Sequence, residues 1–395
     1  MSNVEIRPAH PEEMPQYVNQ ASRQLGLPRE MFTGMPPERT MCAFVGDELA
    51  TTYAFWPLQI RLNGRAVPMA GVTQVSTHPA HRRRGYLRAV THKHFAQMHE
   101  QRQVAIAGLH PSWISVYQRY GYGPVNLRQT YRIEPRDVRF HHSLNPRGRV
   151  REIDLATGFG LLVEVYRRFR EDRTAMVHRG RAMWEAGALQ EPAGGQGRVI
   201  LAYEEDGEAL GYVVYTHGRG NPLRVMDFFA LSPAAYQALW QVLANYDNVD
   251  EIVWDNAPSD DPLPLMLVEP KRISRSLRDG IMARLVVVED ALAQRPYAAV
   301  SELRFELRDA FCEWNSGCWR VVTSPDGGMA SRINGEKIDL ALTPDTLASL
   351  YFGRCTASEA HRAGLLEDVS GGEALARWDA ALRLAQPPYE AEHVW

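Results

Sequence analysis

Cysteine is scarce: the four in 395 residues, Cys42, Cys312, Cys318 and Cys355, form no Cys-x-x-Cys pair and have no histidine at ligand spacing. That pattern argues against a disulfide framework or a structural zinc site, and the thiols read as reduced and mostly buried. Long apolar runs are missing too. No stretch approaches the roughly 20 apolar residues that span a bilayer, and the opening MSNVEIRPAHPEEM has no apolar core of a secretion signal, so the expectation is a cytoplasmic protein with no membrane partner. There is no basic excess. A formal net charge of -3 disfavours nucleic acid or an anionic membrane as the main partner. No metal is expected either: His94 and His99 are too far apart for an i,i+4 pair, and His78 and His81 have no acid at ligand spacing.

What is present is a 45% hydrophobic, 23% charged chain, too long for one ordinary core. Three blocks follow one another, at 1–143, 144–288 and 289–395. In the first, strands such as MCAFVGDELATTYAFWPLQI and RAVPMAGVTQVSTHP are joined at Gly46-Asp47 and Asn63-Gly64. A helix from about Gly85, the strand QVAIAGLH, the short helix WISVYQRY and the strand LRQTYRIEP follow. The second block repeats this grammar: two helices, a hairpin turning at Asp206-Gly207, the strand RVMDFFAL, a helix opened by Ser232-Pro233 and the strand EIVWDNAP. The third has the strands SELRFELRD, GCWRVVTSP and SRINGEKIDLALT, then three helices. The fold class is α/β (α+β).

The segment HRRRGYLRAV, residues 81–90, places three arginines and a glycine where a strand hands over to a helix. Helix starts favour acids, because their free N–H groups and dipole attract negative charge. Two readings stand: arginines on a solvated turn, or an anion cradled by N–H groups, a close-approaching glycine and the guanidinium groups.

Strand, HRRRGYLRAV and helix together resemble the pyrophosphate-binding element of the GCN5-related N-acetyltransferases (GNATs), Arg/Gln-x-x-Gly-x-Gly/Ala. Arg82 and Gly85 fit; Leu87 stands in place of the small residue, which is similar to the form of the enhanced-intracellular-survival (Eis) branch. LHPSWISVYQRYGYGPV and DPLPLMLVEPKR resemble further segments of that branch, and the third block resembles its sterol-carrier-protein-like domain. The resemblance covers essentially the whole chain and implies tandem GNAT domains, the second without the cofactor motif, and a terminus that reaches the active site of the first.

It further implies acetyl-CoA as cosubstrate, with Val75 and Thr77 pairing with the pantetheine amides and Arg82, Arg83, Gly85 and Tyr86 holding the pyrophosphate. Tyr117 would act as acid toward the leaving thiolate, since a phenol of pKa about 10 is protonated at neutral pH. The carboxylate of Trp395 would be base or orienting group. Pro387-Pro388 ends the last helix in extended chain, which suits such a tail. Candidate walls of the acceptor pocket are Phe32, Phe55, Trp56 and Trp113, with His110 at the end of QVAIAGLH. Val394 stands where aminoglycoside-acetylating members keep a carboxylate, so a smaller or more apolar amine is expected. Glu390 and Glu392 could still supply charge near that pocket, although a pair of acids in a polar tail is more often just solvated. The resemblance also implies a hexamer. The main alternative is a non-catalytic protein holding an apolar ligand in the third block, with acetyl-CoA regulatory or absent.

Overall fold

Two-residue turns legible in the sequence set the hairpin registers. Asn63-Gly64, at φ +46° and +89°, joins Leu62 to Arg65, and Asp206-Gly207, at φ +51° and +80°, joins Glu205 to Glu208. Such left-handed pairs match the twist of the flanking strands. The computed structural model describes residues 4–144, 146–191, 197–218, 220, 222–392 and 395. These form two compact units: residues 4–125, 281–385 and 395 make the first, and 126–280 with 386–392 the second.

In chain order the elements begin with β1 (Val4–Arg7), α1 (Met14–Leu25), β2 (Cys42–Val45), β3 (Glu48–Leu62), β4 (Arg65–Thr77), α2 (Tyr86–Gln101), β5 (Ile106–Leu109), α3 (Ile114–Gln118) and β6 (Gly123–Pro124). Next come β7 (Leu127–Ile133), β8 (Arg149–Glu152), α4 (Leu155–Arg170), α5 (Arg181–Ala186), β9 (Arg198–Glu205), β10 (Glu208–Thr216), β11 (Leu223–Ala230), α6 (Pro233–Ala244), β12 (Ile252–Pro258), α7 (Leu263–Met266) and β13 (Ser274–Asp279). The last stretch holds β14 (Met282–Leu285), α8 (Val288–Gln294), β15 (Ser301–Leu307), β16 (Gly317–Ser324), β17 (Gly327–Arg332), β18 (Leu340–Leu342), α9 (Pro344–Phe352), α10 (Ala357–Arg362), β19 (Leu366–Asp368) and α11 (Glu373–Leu382). None of the described helices is long and apolar enough to cross a membrane.

The first unit contains the sheet β1-β2-β3-β4-β5-β14-β6, antiparallel through β4. α2 then carries the chain over so that β5 runs parallel to β4. On one face, Tyr17, Val18 and Ala21 of α1 pack with Phe32, Phe44 and Ala54. The same unit contains the sheet β17-β16-β15-β18-β19. Its helices close over an apolar interior in which Phe305, Tyr351 and Trp378 line a cavity of about 10 Å³. A sterol-sized ligand needs a pocket of some hundreds of Å³, far more than this cavity offers.

The second unit contains the sheet β8-β9-β10-β11-β12-β7-β13. Position by position it repeats the first: four antiparallel strands, a helix crossover to a parallel fifth strand, and an antiparallel sixth. The sixth strands depart from the sequence blocks. β7 lies in block 1–143 and joins the second sheet, whereas β14 lies in block 144–288 and joins the first. Periodicity identifies a strand but not the edge it pairs with. In the third block, the stretch read as one strand from Ser331 is divided between β17 and β18.

Candidate active site

β4 and β5 remain paired only as far as Val72 and Leu109. From Thr73 onward β4 keeps β3 on one edge and, among the described residues, no strand on the other. A bulge lies at this point: Gln74 adopts φ +55°, and two residues of β4 face one of β3 between the pairs Ala54–Thr73 and Thr52–Ser76. Thr52 Oγ1 donates to the Gln74 carbonyl at 2.8 Å, and Tyr17 donates to Gln74 Oε1 at 2.8 Å. Gln74 was not singled out in the sequence; an amide inside the apolar run GVTQVST is the signal for it. Val75 and Thr77 lie on this half-open strand.

The turn after β4 is shaped by its own side chains. Arg82 folds back, its guanidinium donating to the Thr77 carbonyl at 3.1 Å and to Gln24 at 3.3 Å. Arg83 and Gly85 take φ +63° and +83°. Gly85 is the N-cap of α2, no side chain caps that helix start, and nothing lies within 4 Å of where a Cβ would stand. Uncapped first-turn N–H groups beside exposed Arg82, Arg83 and Arg84, with half-buried Tyr86 following, fit a pyrophosphate. His81, at 3.1 Å from Glu48, does have an acidic partner, supplied by a residue distant in sequence.

Trp395 lies at the point where the strands part. Its indole N–H donates to the Val72 carbonyl at 3.3 Å, and its ring centroid is 4.1 Å from that of His110. Gly71 makes the room: a Cβ there would stand 2.4 Å from Leu58 Cδ1 and 3.0 Å from Trp395 Cδ1. Trp56 sits opposite Gly71 and shares its face.

Tyr117 stands on α3, just beyond β5. The turn after it closes over a buried cation: Gly121 has φ +78°, and a Cβ there would fall 1.6 Å from an Arg284 nitrogen. Arg284 donates to the Tyr120 carbonyl at 2.7 Å and pairs with Asp309, which also accepts from the Phe311 and Cys312 amides at 3.1 and 2.9 Å. This explains the Gly in RYGYG. Tyr117 is about nine-tenths buried, and burial, followed by the neighbouring Tyr120, pushes its phenol up to about 12. It is therefore protonated at neutral pH. His94, bonded to the Tyr53 hydroxyl at 2.8 Å, is pushed down to about 3 by burial and stays neutral there.

The other proposed pocket residues fall in different places. Phe55, one residue from Trp56, points to the opposite face of β3 and stacks on His94 at 4.3 Å, where it lines a cavity of about 330 Å³ with Pro57 and Met98. The structure does not bring it to the face of Trp395. Phe32 is packed into the α1 core, against which Trp56 also rests. Trp113 is 74% exposed at the start of α3. Val394 lies outside the described residues.

Glu390 and Glu392 correct the expectation of a solvated tail, for both are buried in the second unit. Arg128 donates to Glu390 at 2.6 Å, and Arg179 bridges Glu392 at 2.5 Å and Asp227 at 2.6 Å. Their cationic partners lie more than 200 residues away, so no local pattern could signal the burial.

Comparison with known proteins bears on this geometry. Residues 5–125 and 175–285 match models of the acetyltransferase (GNAT) domain, and 288–390 a sterol carrier protein domain. An uncharacterised N-acetyltransferase of Streptomyces coelicolor is 30% identical over 324 residues, covering 78% of this chain and 77% of that protein. The chain belongs to the Eis-like branch of the GCN5-related N-acetyltransferases. The N-acetyltransferase Eis of Mycobacterium tuberculosis is 29% identical over 353 residues, covering 85% of this chain and 83% of its own. The crystal structure of Eis1 from Mycobacterium abscessus superposes with a TM-score of 0.85 at 28% identity, covering 98% of this chain and 99% of that one. This GNAT is accordingly an acetyltransferase, and enzymes of its fold generally use acetyl-CoA.

Proposed function

We propose that this enzyme transfers acetyl from acetyl-CoA directly to a primary amine held beside it in a ternary complex. The observation that carries the reading is that β4's open edge runs from the parting of the strands, where Trp395 is anchored on Val72, to the uncapped start of α2. Val75 and Thr77 would offer backbone groups to the pantetheine. Arg82, Arg83 and the amides from Gly85 to Tyr86 would hold the pyrophosphate. Tyr117, protonated at working pH, would give its proton to the departing sulfur as the amine nitrogen bonds to the acetyl carbon.

The indole of Trp395 fixes the backbone of that residue in the cleft. Where residue 395 ends the chain, its carboxylate would orient the amine and accept a proton from it; an ordinary α-carboxyl is a weak base, so orientation is its larger contribution. Trp56 and His110, neighbours on that face, would flank a small or apolar acceptor. The same resemblance carries a hexameric assembly, which light scattering on the purified protein reads directly.

The test is thiol release from acetyl-CoA against aminoglycosides, polyamines, amino acids, arylamines and lysine peptides. Turnover of a small or aromatic amine is expected. Tyr117→Phe should lower kcat by about 10²-fold or more with KM nearly unchanged, as loss of a general acid does. Residues added after Trp395 should suppress kcat. Unchanged kcat in Tyr117→Phe removes the acid role, and full activity of the extended chain removes the carboxylate.

A further inference from the structure

The second unit repeats the strand order of the first, and its fourth and fifth strands part in the same way. β11 and β12 pair from Leu223 with Ile252 to Val225 with Trp254 and then separate around a cavity of about 250 Å³. The anion-binding features of the first unit are missing here. The Ser232 hydroxyl caps α6 by accepting from the Ala235 amide at 3.2 Å, Pro233 fills the first turn, and no arginine run precedes the helix.

Carboxylates and aromatic rings stand in their place. Asp260 and Asp261 follow β12 into the cavity, and Phe228, Tyr236 and Trp254 form its wall, with the Phe228 centroid 5.1 Å from Tyr236 and 5.3 Å from Trp254. Asp261, 8% exposed, accepts from Tyr236 at 2.7 Å and the Leu263 amide at 3.1 Å, both on the same oxygen. Arg173, the cation lining this cavity, is committed to Asp260, which leaves Asp261 without a counter-charge there among the described residues. Burial accordingly pushes the Asp261 carboxyl up to about 7, with Tyr236, Tyr131 and Asp260 as its titratable neighbours. Arg173 is itself 6% exposed, and its Nε has no hydrogen-bond partner among the described residues.

We propose that this cavity is a second ligand site, for a small organic amine with an apolar body and a hydrogen-bond acceptor near the ammonium group. The ammonium would compensate Asp261, the aromatic wall would take the body and attract the cation, and the acceptor would satisfy Arg173 Nε. The cavity is lined by second-unit residues alone, none of them assigned to the acetyl-transfer site, and the proposal stands whether or not the proposed reaction is right.

The probes are phenylalaninamide, which carries all three features, phenethylamine, which lacks the acceptor, and 3-phenylpropionamide, which lacks the ammonium. Each is titrated calorimetrically into the full chain without acetyl-CoA. Phenylalaninamide should bind most tightly, phenethylamine several-fold more weakly and 3-phenylpropionamide at least about tenfold more weakly. Asp261→Asn, which removes the charge, and Ala230→Phe, which fills the cavity with both aspartates intact, should each weaken phenylalaninamide about tenfold or more and leave thiol release at its normal rate. Binding that both variants retain places the amine elsewhere and overturns the proposal. So does equal binding of 3-phenylpropionamide, or no heat from any probe at about 10 mM.

Discussion

At the scale of single residues, the side chains that matter most are identified by what surrounds them. Gly71 has no left-handed φ to justify it; its reason is the close approach of Leu58 and Trp395. Gly71→Ala should lower kcat about tenfold by displacing Trp395 and lower Tm by overpacking, which typically costs about 1–3 kcal/mol. Adding Leu58→Ala should recover part of the lost Tm, because the tighter clash is with Leu58; strictly additive losses would show that the two sites do not touch. Asp261 supplies a prediction against pH. Its folded-state value, about 7, lies above the ordinary 3.8, so the fold keeps a proton that the unfolded chain releases. Stability from this carboxyl is therefore complete below about pH 4 and lost as pH rises through 7. Asp261→Asn should raise Tm at pH 8 relative to the parent, and the gap should shrink at pH 5; equal gaps would mean that the carboxyl does not titrate in this window. Little of this was legible beforehand. Tyr117 and the Arg82–Gly85 turn stand out in the sequence because their chemistry is local, whereas the buried positions of Glu390, Glu392 and Phe55 depend on partners or on strand phase.

At the scale of elements, the start of α2 and the start of α6 make opposite use of one position in the fold. Gly85 leaves the amides of α2 open, while Ser232 and Pro233 close those of α6. Both were readable, since caps are short-range. The bulge at Gln74 was not, because an extra residue leaves hydrophobic alternation nearly intact. The α2 start is held to bind charge, so Arg82→Ala and Arg83→Ala should each raise KM for acetyl-CoA several-fold to tenfold with little change in kcat. Added salt should raise KM more for the parent than for either variant, since screening removes what the substitution has already removed. A salt response identical in all three would show that these guanidinium groups do not meet the phosphates.

At the scale of the whole molecule, the second unit contains a buried charge cluster and the first a borrowed strand. Arg179, 1% exposed in its side chain, holds both Asp227 and Glu392. Arg179→Met would leave two buried carboxylates facing each other, and breaking such a cluster from one side costs about 3–5 kcal/mol. Thermal unfolding should show the loss, and a Tm within a degree of the parent would mean that the carboxylates take up protons instead.

The exchanged sixth strands decide where the chain can be cut. The sequence block 1–143 looks like a complete GNAT domain, yet it includes β7, which pairs in the other sheet, and lacks β14. Met282, Ala283, Arg284 and Leu285 of β14 are all buried, and Arg284 is the cation on which the Tyr117 turn is folded. Without them β5 becomes an open apolar edge, an invitation to aggregate, and burial of Met282 and Leu285, worth about 1.5–3 kcal/mol each, is lost. Expression of 1–143 alone should yield insoluble protein or a product with no cooperative thermal transition. Joining residues 281–288 to residue 125 through a flexible linker should restore a transition, because it returns β14 to the edge of β5 and removes β7. If instead 1–143 unfolds cooperatively and binds acetyl-CoA like the full chain, the first sheet does not need its sixth strand, and the legible sequence block is a folding unit after all.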